Sequence, residues 1–194
     1  TTEIYTLSLH DALPISALVP ALPQGSPVPV EDALAFFREA IDFHNVRLVE
    51  LPNGDFAHTV ARLLLFSTVR LAAFEKLATH RDPVLAAIAA KGVKELAYHR
   101  DYAGRWFLTL AQGTEESRRR LLAGLTDVWP LHDELIRAYD AGPDVDVILD
   151  QVFAVSAVER PEVGSMTGRG HTEALSRLLA EMQVVARAHP EGLW

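Results

Sequence analysis

The histidines of this sequence have the clearest potential for metal chemistry, which depends on how many residues separate them from a carboxylate. A helical bundle can hold two iron ions with Glu-x-x-His sequences on two helices, because residues three apart share a helix face. Of the 8 histidines, only His58 follows a carboxylate, Asp55, by three residues. Asp55 stands where a helix should begin, and we interpret it as an N-cap rather than a ligand. The sequence therefore predicts neither a metal site nor a catalytic residue in this chain.

A second group of ionisable residues, Lys91, Glu95 and His99, recurs at intervals of four along one predicted helix. Such residues share a helix face. We expect this face to lie beside the inward apolar stripe, so that the three residues form a buried polar cluster. The cluster has two interpretations. It is either a vestigial metal pocket, in which Lys91 supplies the charge that a metal once supplied, or an ordinary paired cluster at a contact within the bundle or between subunits. We favour the second, because structural ion-pair networks also collect ionisable groups.

A third group, His171-Thr172-Glu173, opens the last predicted helix. Thr172 is suited to cap that helix, and Glu173 complements the positive end of its dipole. We therefore interpret the group as a helix start. The sequence has no Gly-rich phosphate loop, nucleophile elbow or Ser-His-Asp arrangement.

The elements that must position these residues are helices, since apolar residues recur every three or four positions and no alternating strand pattern is found. Asp55, Asp82 and Thr114 are predicted N-caps, Pro83 is a predicted first helical residue, and Pro130 should kink the helix that contains it. The predicted helices span about 31–51, 56–77, 83–110, 114–139, 145–158 and 172–188. Long helices joined by short loops predict an all-α, antiparallel bundle.

Composition limits the class of protein further. The chain has 194 residues, of which 49% are hydrophobic, enough for one domain. A net charge of -8 argues against nucleic acid or an anionic membrane surface as the main partner. Charged residues interrupt the richest apolar stretch, so we expect no membrane span. The absence of cysteine excludes disulfides and thiolate metal sites and fits a cytoplasmic protein.

The first residues differ in character from the rest. Residues 1–16 read TTEIYTLSLHDALPIS, which looks like the in-frame translation of a short-read sequencing adapter. We therefore treat them as a non-native segment and expect the native N-terminus, with the first bundle helix, to be missing. Residues 17–30 contain four prolines and should form an extended connector. The expected helical domain comprises residues 31–194.

Four stretches resemble the C-subunit family of bacterial phenylacetyl-CoA epoxidase, also called phenylacetate-CoA oxygenase. They are LVELPNGDFAHTVAR (48–62), DPVLAAIAAKGVKELAYH (82–99), GTEESRR (113–119) and HTEALSRLLAEMQ (171–183), in the order of the family. The positions that match its motifs are Pro52, Asn53, Gly54, Asp55, Phe56, His171, Thr172, Glu173, Glu181 and Gln183.

The resemblance implies a ferritin-like helical bundle and a role in aerobic phenylacetate degradation. It implies a complex in which a homologous A subunit holds a di-iron centre and a reductase delivers electrons from NADPH through FAD and iron-sulfur. That complex epoxidises the ring of phenylacetyl-CoA with O2. The C subunit is implied to be a structural, non-catalytic partner without a cofactor, and Leu96 stands where catalytic relatives have a glutamate.

Two rival functions remain open. One is an active di-iron oxygenase built from Glu95, His99, His171, Glu173 and Glu181, which metal analysis after iron loading would reveal. The other is a helical binding or assembly module with no tie to aromatic catabolism. Co-purification with a di-iron protein would distinguish that module from the structural subunit.

Overall fold

A computed structural model describes residues 33, 35–168 and 170–190, and it contains helices in the ranges predicted after residue 51. The expectations for the adapter-like segment and the proline-rich connector lie outside the described residues. The chain divides into two compact units. The larger unit comprises Val46–Gly170, and the smaller unit contains the described residues of Thr1–Asn45 and His171–Trp194.

The larger unit contains five α-helices where four were predicted, because the predicted helix 114–139 is divided in two. They are α1 (Phe56–Leu77), α2 (Pro83–Gln112), α3 (Glu115–Val128), α4 (His132–Ala138) and α5 (Asp144–Ser156). The short 3-10 turn Trp129–Leu131 separates α3 from α4. Proline lacks the N–H that a continuous helix needs, so the predicted kink at Pro130 is confirmed.

The three predicted N-caps are also confirmed. Asp55 accepts a hydrogen bond from the amide of His58 at 2.9 Å, and Asp82 accepts one from Val84 at 2.9 Å. Thr114 accepts one from the amide of the third residue of α3 at 3.1 Å. Each cap satisfies a backbone donor that has no partner within its helix, and so the cap residues set where the helices begin.

Helix α1 lies at the centre of the larger unit and contacts α2, α3, α4 and α5. Among the described helices, α1 is long and apolar enough for a membrane span, but 56% of its most apolar window is buried inside the protein. Its fully buried side chains include Val60, Leu64, Leu65 and Val69. The apolar character of α1 is thus accounted for by its central position.

The prediction of a continuous helix over residues 31–51 is wrong. The chain there forms the 3-10 turns Ala40–Asp42 and Arg47–Glu50. Glu39, Phe43 and Val46 have extended backbone conformations, and neither turn has a side-chain cap. The apolar spacing in this stretch is irregular and, with no cap, cannot sustain an isolated helix.

The smaller unit contains the last helix, α6 (Glu173–Ala188). Thr172 occupies its N-cap position with an extended backbone, but the threonine side chain does not cap the helix. The predicted start of α6 is therefore right, and the predicted capping hydrogen bond is not formed. The buried residues of α6 are Leu175, Leu179, Gln183 and Ala186.

Candidate functional site

Lys91, Glu95 and His99 lie on α2, but the burial expected for this cluster is not found. Lys91 and Glu95 are exposed and His99 is half-buried. The buried side of α2 is instead formed by small residues and one phenylalanine: Ala89, Gly92, Ala103, Phe107 and Ala111.

The close approach of α2 to α1 explains this orientation. A Cβ atom added to Gly92 would lie 2.5 Å from the Phe74 ring of α1. The small residues of α2 therefore face α1, which turns Lys91 and Glu95 outward. Trp106 of the same helix is also 38% exposed.

The same helix fails the test for paired metal ligands. Leu96 precedes His99 by three residues, on the same helix face, and is half-buried. Its apolar side chain has no atom that could bind a metal. Throughout residues 33, 35–168 and 170–190, no group of three or more His, Cys, Asp or Glu side chains could hold a metal ion. The described residues therefore do not fit a di-iron centre.

The motif residues Pro52–Phe56, here called the PNGDF turn, organise the start of α1. Arg62 donates one hydrogen bond to the carbonyl oxygen of Leu51 at 3.0 Å and another to Oδ1 of Asn53 at 3.2 Å. Gly54 lies so close to His58 that an added Cβ would be 2.7 Å from its imidazole. Asn53 and Gly54 thus have structural roles in a tight turn, as does the capping Asp55.

The PNGDF turn also meets α3, which carries another of the matching stretches. Arg120 of α3 lies 3.5 Å from Asp55, and Glu116 binds both Arg119 and Arg120. Hydrogen bonds from Arg119 and Arg120 lower the pKa of Glu116 to about 2. These pairs are exposed, where salt bridges contribute little to stability.

His58 lies behind the PNGDF turn, against α3. Burial lowers the pKa of His58, and the positive charge of Arg62 lowers it further, while Asp127 and Asp55 oppose the shift. The ring is thus neutral at pH 7, since an unperturbed histidine titrates near ~6.5. His58 therefore packs at this helix junction in its neutral form.

The capping role of Asp55 can be measured. We expect Asp55→Ala to lower the free energy of unfolding by about 1 kcal/mol, because the amide of His58 loses its acceptor. Asp55→Asn is the matched control, since asparagine caps equally well and should stay within a few tenths of a kcal/mol of the native protein. Urea unfolding compares the three proteins. Equal losses in both variants would assign the effect to the charge and not to the cap.

The remaining motif positions lie in the smaller unit. Nε2 of His171 lies 2.8 Å from the carbonyl oxygen of Phe43. Gln183 is buried and donates to the carbonyl oxygen of Arg38 at 3.1 Å, and Arg187 donates to the same oxygen at 2.9 Å. These side chains hold the segment before the larger unit to α6. Glu173 and Glu181 are exposed.

Two comparisons with known proteins identify the family of this chain. The model of the "Phenylacetic acid catabolic protein" family matches residues 26–155. The chain is also 34% identical over 189 residues to the C subunit of 1,2-phenylacetyl-CoA epoxidase from Escherichia coli (strain K12), covering 84% of this chain and 74% of that protein. This chain belongs to the phenylacetic acid catabolic protein family. The resemblance inferred from its motifs is confirmed.

Membership of the phenylacetic acid catabolic protein family also confirms the fold class. The family is a ferritin-like helical bundle, and the described elements are helices and turns. Among its motif positions in this chain, Asp55 caps a helix, Asn53 and Gly54 shape a turn, and His171 and Gln183 contact backbone carbonyls.

Sequence reasoning missed a buried ion pair in the larger unit. Arg47 donates from Nε to Glu134 at 2.7 Å, and its backbone amide donates to the same carboxylate at 2.9 Å. The guanidinium also donates to the carbonyl oxygens of Met166 and Thr167 at 3.3 and 3.2 Å. Arg47 and Glu134 are 87 residues apart in sequence, so no local pattern could have revealed the pair.

Proposed function

We propose that this chain is a structural, non-catalytic subunit of a multicomponent phenylacetyl-CoA ring 1,2-epoxidase. Its E. coli relative is named as the C subunit of that epoxidase, and the shared family supports a place in phenylacetate catabolism. In this role the chain binds the catalytic partner and stabilises it.

The observation that carries the proposal is the chemistry of α2. A catalytic bundle helix needs a carboxylate three residues before its histidine, and here that residue is Leu96, half-buried beside His99. Glu95 is exposed and precedes His99 by four residues, not three, so it does not complete the Glu-x-x-His pattern. Of the motif residues, Asp55 is engaged in a helix cap and Gln183 in a backbone contact.

The proposed partners follow from the role. A homologous A subunit, which is the catalytic one, holds the di-iron centre, and a reductase supplies electrons from NADPH through FAD and iron-sulfur. The complex functions in the cytoplasm, without nucleic acid or membrane. The outward side of α2 supports an interaction role, because Tyr98 is 63% exposed and Tyr102 39% exposed. Exposed aromatic side chains are enriched at protein interfaces.

Iron binding and association test the proposal together. We expect the chain expressed alone and loaded with Fe(II) to retain no more iron than a helical control, because it lacks paired ligands. Co-expressed with a homologous A subunit, it should elute in a fixed ratio with that subunit in size exclusion. Epoxidase activity with the reductase should require the catalytic partner.

Leu96→Glu is an internal control for the metal argument. It restores a carboxylate three residues before His99 but not the ligands on other helices, so bound iron should not rise. Near-stoichiometric iron with di-iron spectra in the native chain would instead establish an active oxygenase. Failure to associate with the catalytic partner would favour an unrelated assembly module.

A further inference from the structure

The corner between α3 and α4 contains a histidine held between two carboxylates. His132 is 7% exposed and its ring stacks on Trp129 with centroids 4.8 Å apart. Its Nδ1 lies 3.1 Å from Asp133, and its Nε2 lies 3.2 Å from Asp146 of α5. Both ring nitrogens therefore face a carboxylate oxygen.

This arrangement depends on the charge of the ring. A neutral imidazole has one N–H and can donate to only one of two acceptors, whereas the imidazolium can donate to both. His132 Nε2 and Asp146 Oδ1 are close enough for an ion pair, but their geometry is not that of a hydrogen bond. Both atoms are buried. Its strength therefore comes from charge, which the neutral ring lacks.

The same two carboxylates hold the segment that follows α5, residues 159–168. Arg160 lies 3.1 Å from Asp146, and Ser165 donates a hydrogen bond to Asp133. The amide of Met166 then donates to the carbonyl oxygen of Pro130 at 2.7 Å. Each carboxylate thus contacts His132 on one side and the segment on the other.

We propose that His132, Asp133, Asp146 and Arg160 form a proton-dependent clasp that fastens residues 159–168 onto the α3–α4 corner. With His132 protonated, both carboxylates are fixed in position to bind Arg160 and Ser165. When the ring loses its proton, at least one carboxylate loses its partner and the segment is held less firmly. The clasp tightens as pH falls towards 6 and loosens as pH rises towards 8.

Two of the clasp residues, Arg160 and Asp133, keep their charge over this range. Arg160 also pairs with Asp150 at 2.7 Å, and that hydrogen bond raises the pKa of Arg160 further. Hydrogen bonds from Ser165, and next from His132, lower the pKa of Asp133, with a smaller contribution from the charge of Arg137. The Asp133 carboxyl therefore stays ionised to a lower pH than an ordinary aspartate does. Histidine is the group that changes charge between about pH 5 and 8.

Amide hydrogen exchange of the full chain at pH 6 and pH 8, corrected for intrinsic rates, tests the clasp. We expect protection of the Met166 amide, which donates to Pro130, to fall about five- to tenfold on going to pH 8, the effect of losing one charge-assisted contact. Amides in the middle of α1 serve as the internal reference. His132→Gln should abolish the pH dependence, and His99→Gln, the matched control on α2, should retain it.

Equal protection at both pH values, or the same fall in His132→Gln, would overturn the clasp. If His132→Gln does not fold, ring 15N NMR of the native chain gives the answer. We expect both nitrogens of His132 to be protonated at pH 6, and the signals of residues 162–168 to shift with the same midpoint as the ring. A neutral ring at pH 6, or segment signals that do not follow the ring, would refute the proposal.

Discussion

Glu134→Ala is expected to destabilise the larger unit by about 3 kcal/mol, near the lower end of what breaking a buried ion pair costs. Arg47 is 8% exposed, so the variant would leave its guanidinium buried without a counter-charge. Two donors to the carboxylate, the Arg47 side chain and its backbone amide, would lose their acceptor together. The lower end of the range applies because the Glu134 side chain is 21% exposed.

The midpoint of urea unfolding measures this effect. Asp101→Ala is the control, since it removes an exposed pair with Arg105 on α2 and should cost at most about 0.5 kcal/mol. Replacing both partners, Arg47→Met with Glu134→Leu, should recover much of the loss, because no unpaired charge remains. A loss in Glu134→Ala no greater than in Asp101→Ala would mean that water reaches Arg47 and compensates it.

The helices of the larger unit were predictable because their signals are local. Asp55, Asp82 and Thr114 are cap residues within three positions of the amides they bind. Pro130 breaks the helix by removing a donor, whatever surrounds it. The test for a di-iron site could also be made on the sequence alone, because it concerns residues three apart on one helix.

The orientation of α2 was not predictable from its own pattern. Apolar and small residues occupy most of its circumference, so periodicity alone did not show which side faces α1. Contact between Gly92 and Phe74 decides this, and with it the exposure of Lys91 and Glu95. The His132 clasp is hidden for a similar reason, since its members meet only when α4, α5 and the following segment are packed.

The contact between α3 and α1 yields the second large effect. An added Cβ at Gly124 of α3 would lie 2.7 Å from Cα and 3.0 Å from the backbone nitrogen of His58. Backbone atoms cannot rotate away as a side chain can, so α1 and α3 would have to separate. We expect Gly124→Ala to cost about 2 to 3 kcal/mol, as overpacking of a well-packed contact does.

Gly104→Ala is the matched control for Gly124→Ala. Gly104 lies inside α2, and an added Cβ would meet nothing within 4 Å. Alanine is favoured over glycine in a helix interior by roughly 1 kcal/mol, so this variant should be more stable than the native chain. The two substitutions are chemically identical, and the difference in their unfolding midpoints isolates the steric term at α3. An added Cβ at Gly124 would lie 2.7 Å from Cα of His58. If Gly124→Ala also stabilised the protein, α1 and α3 would have to lie further apart than this distance indicates.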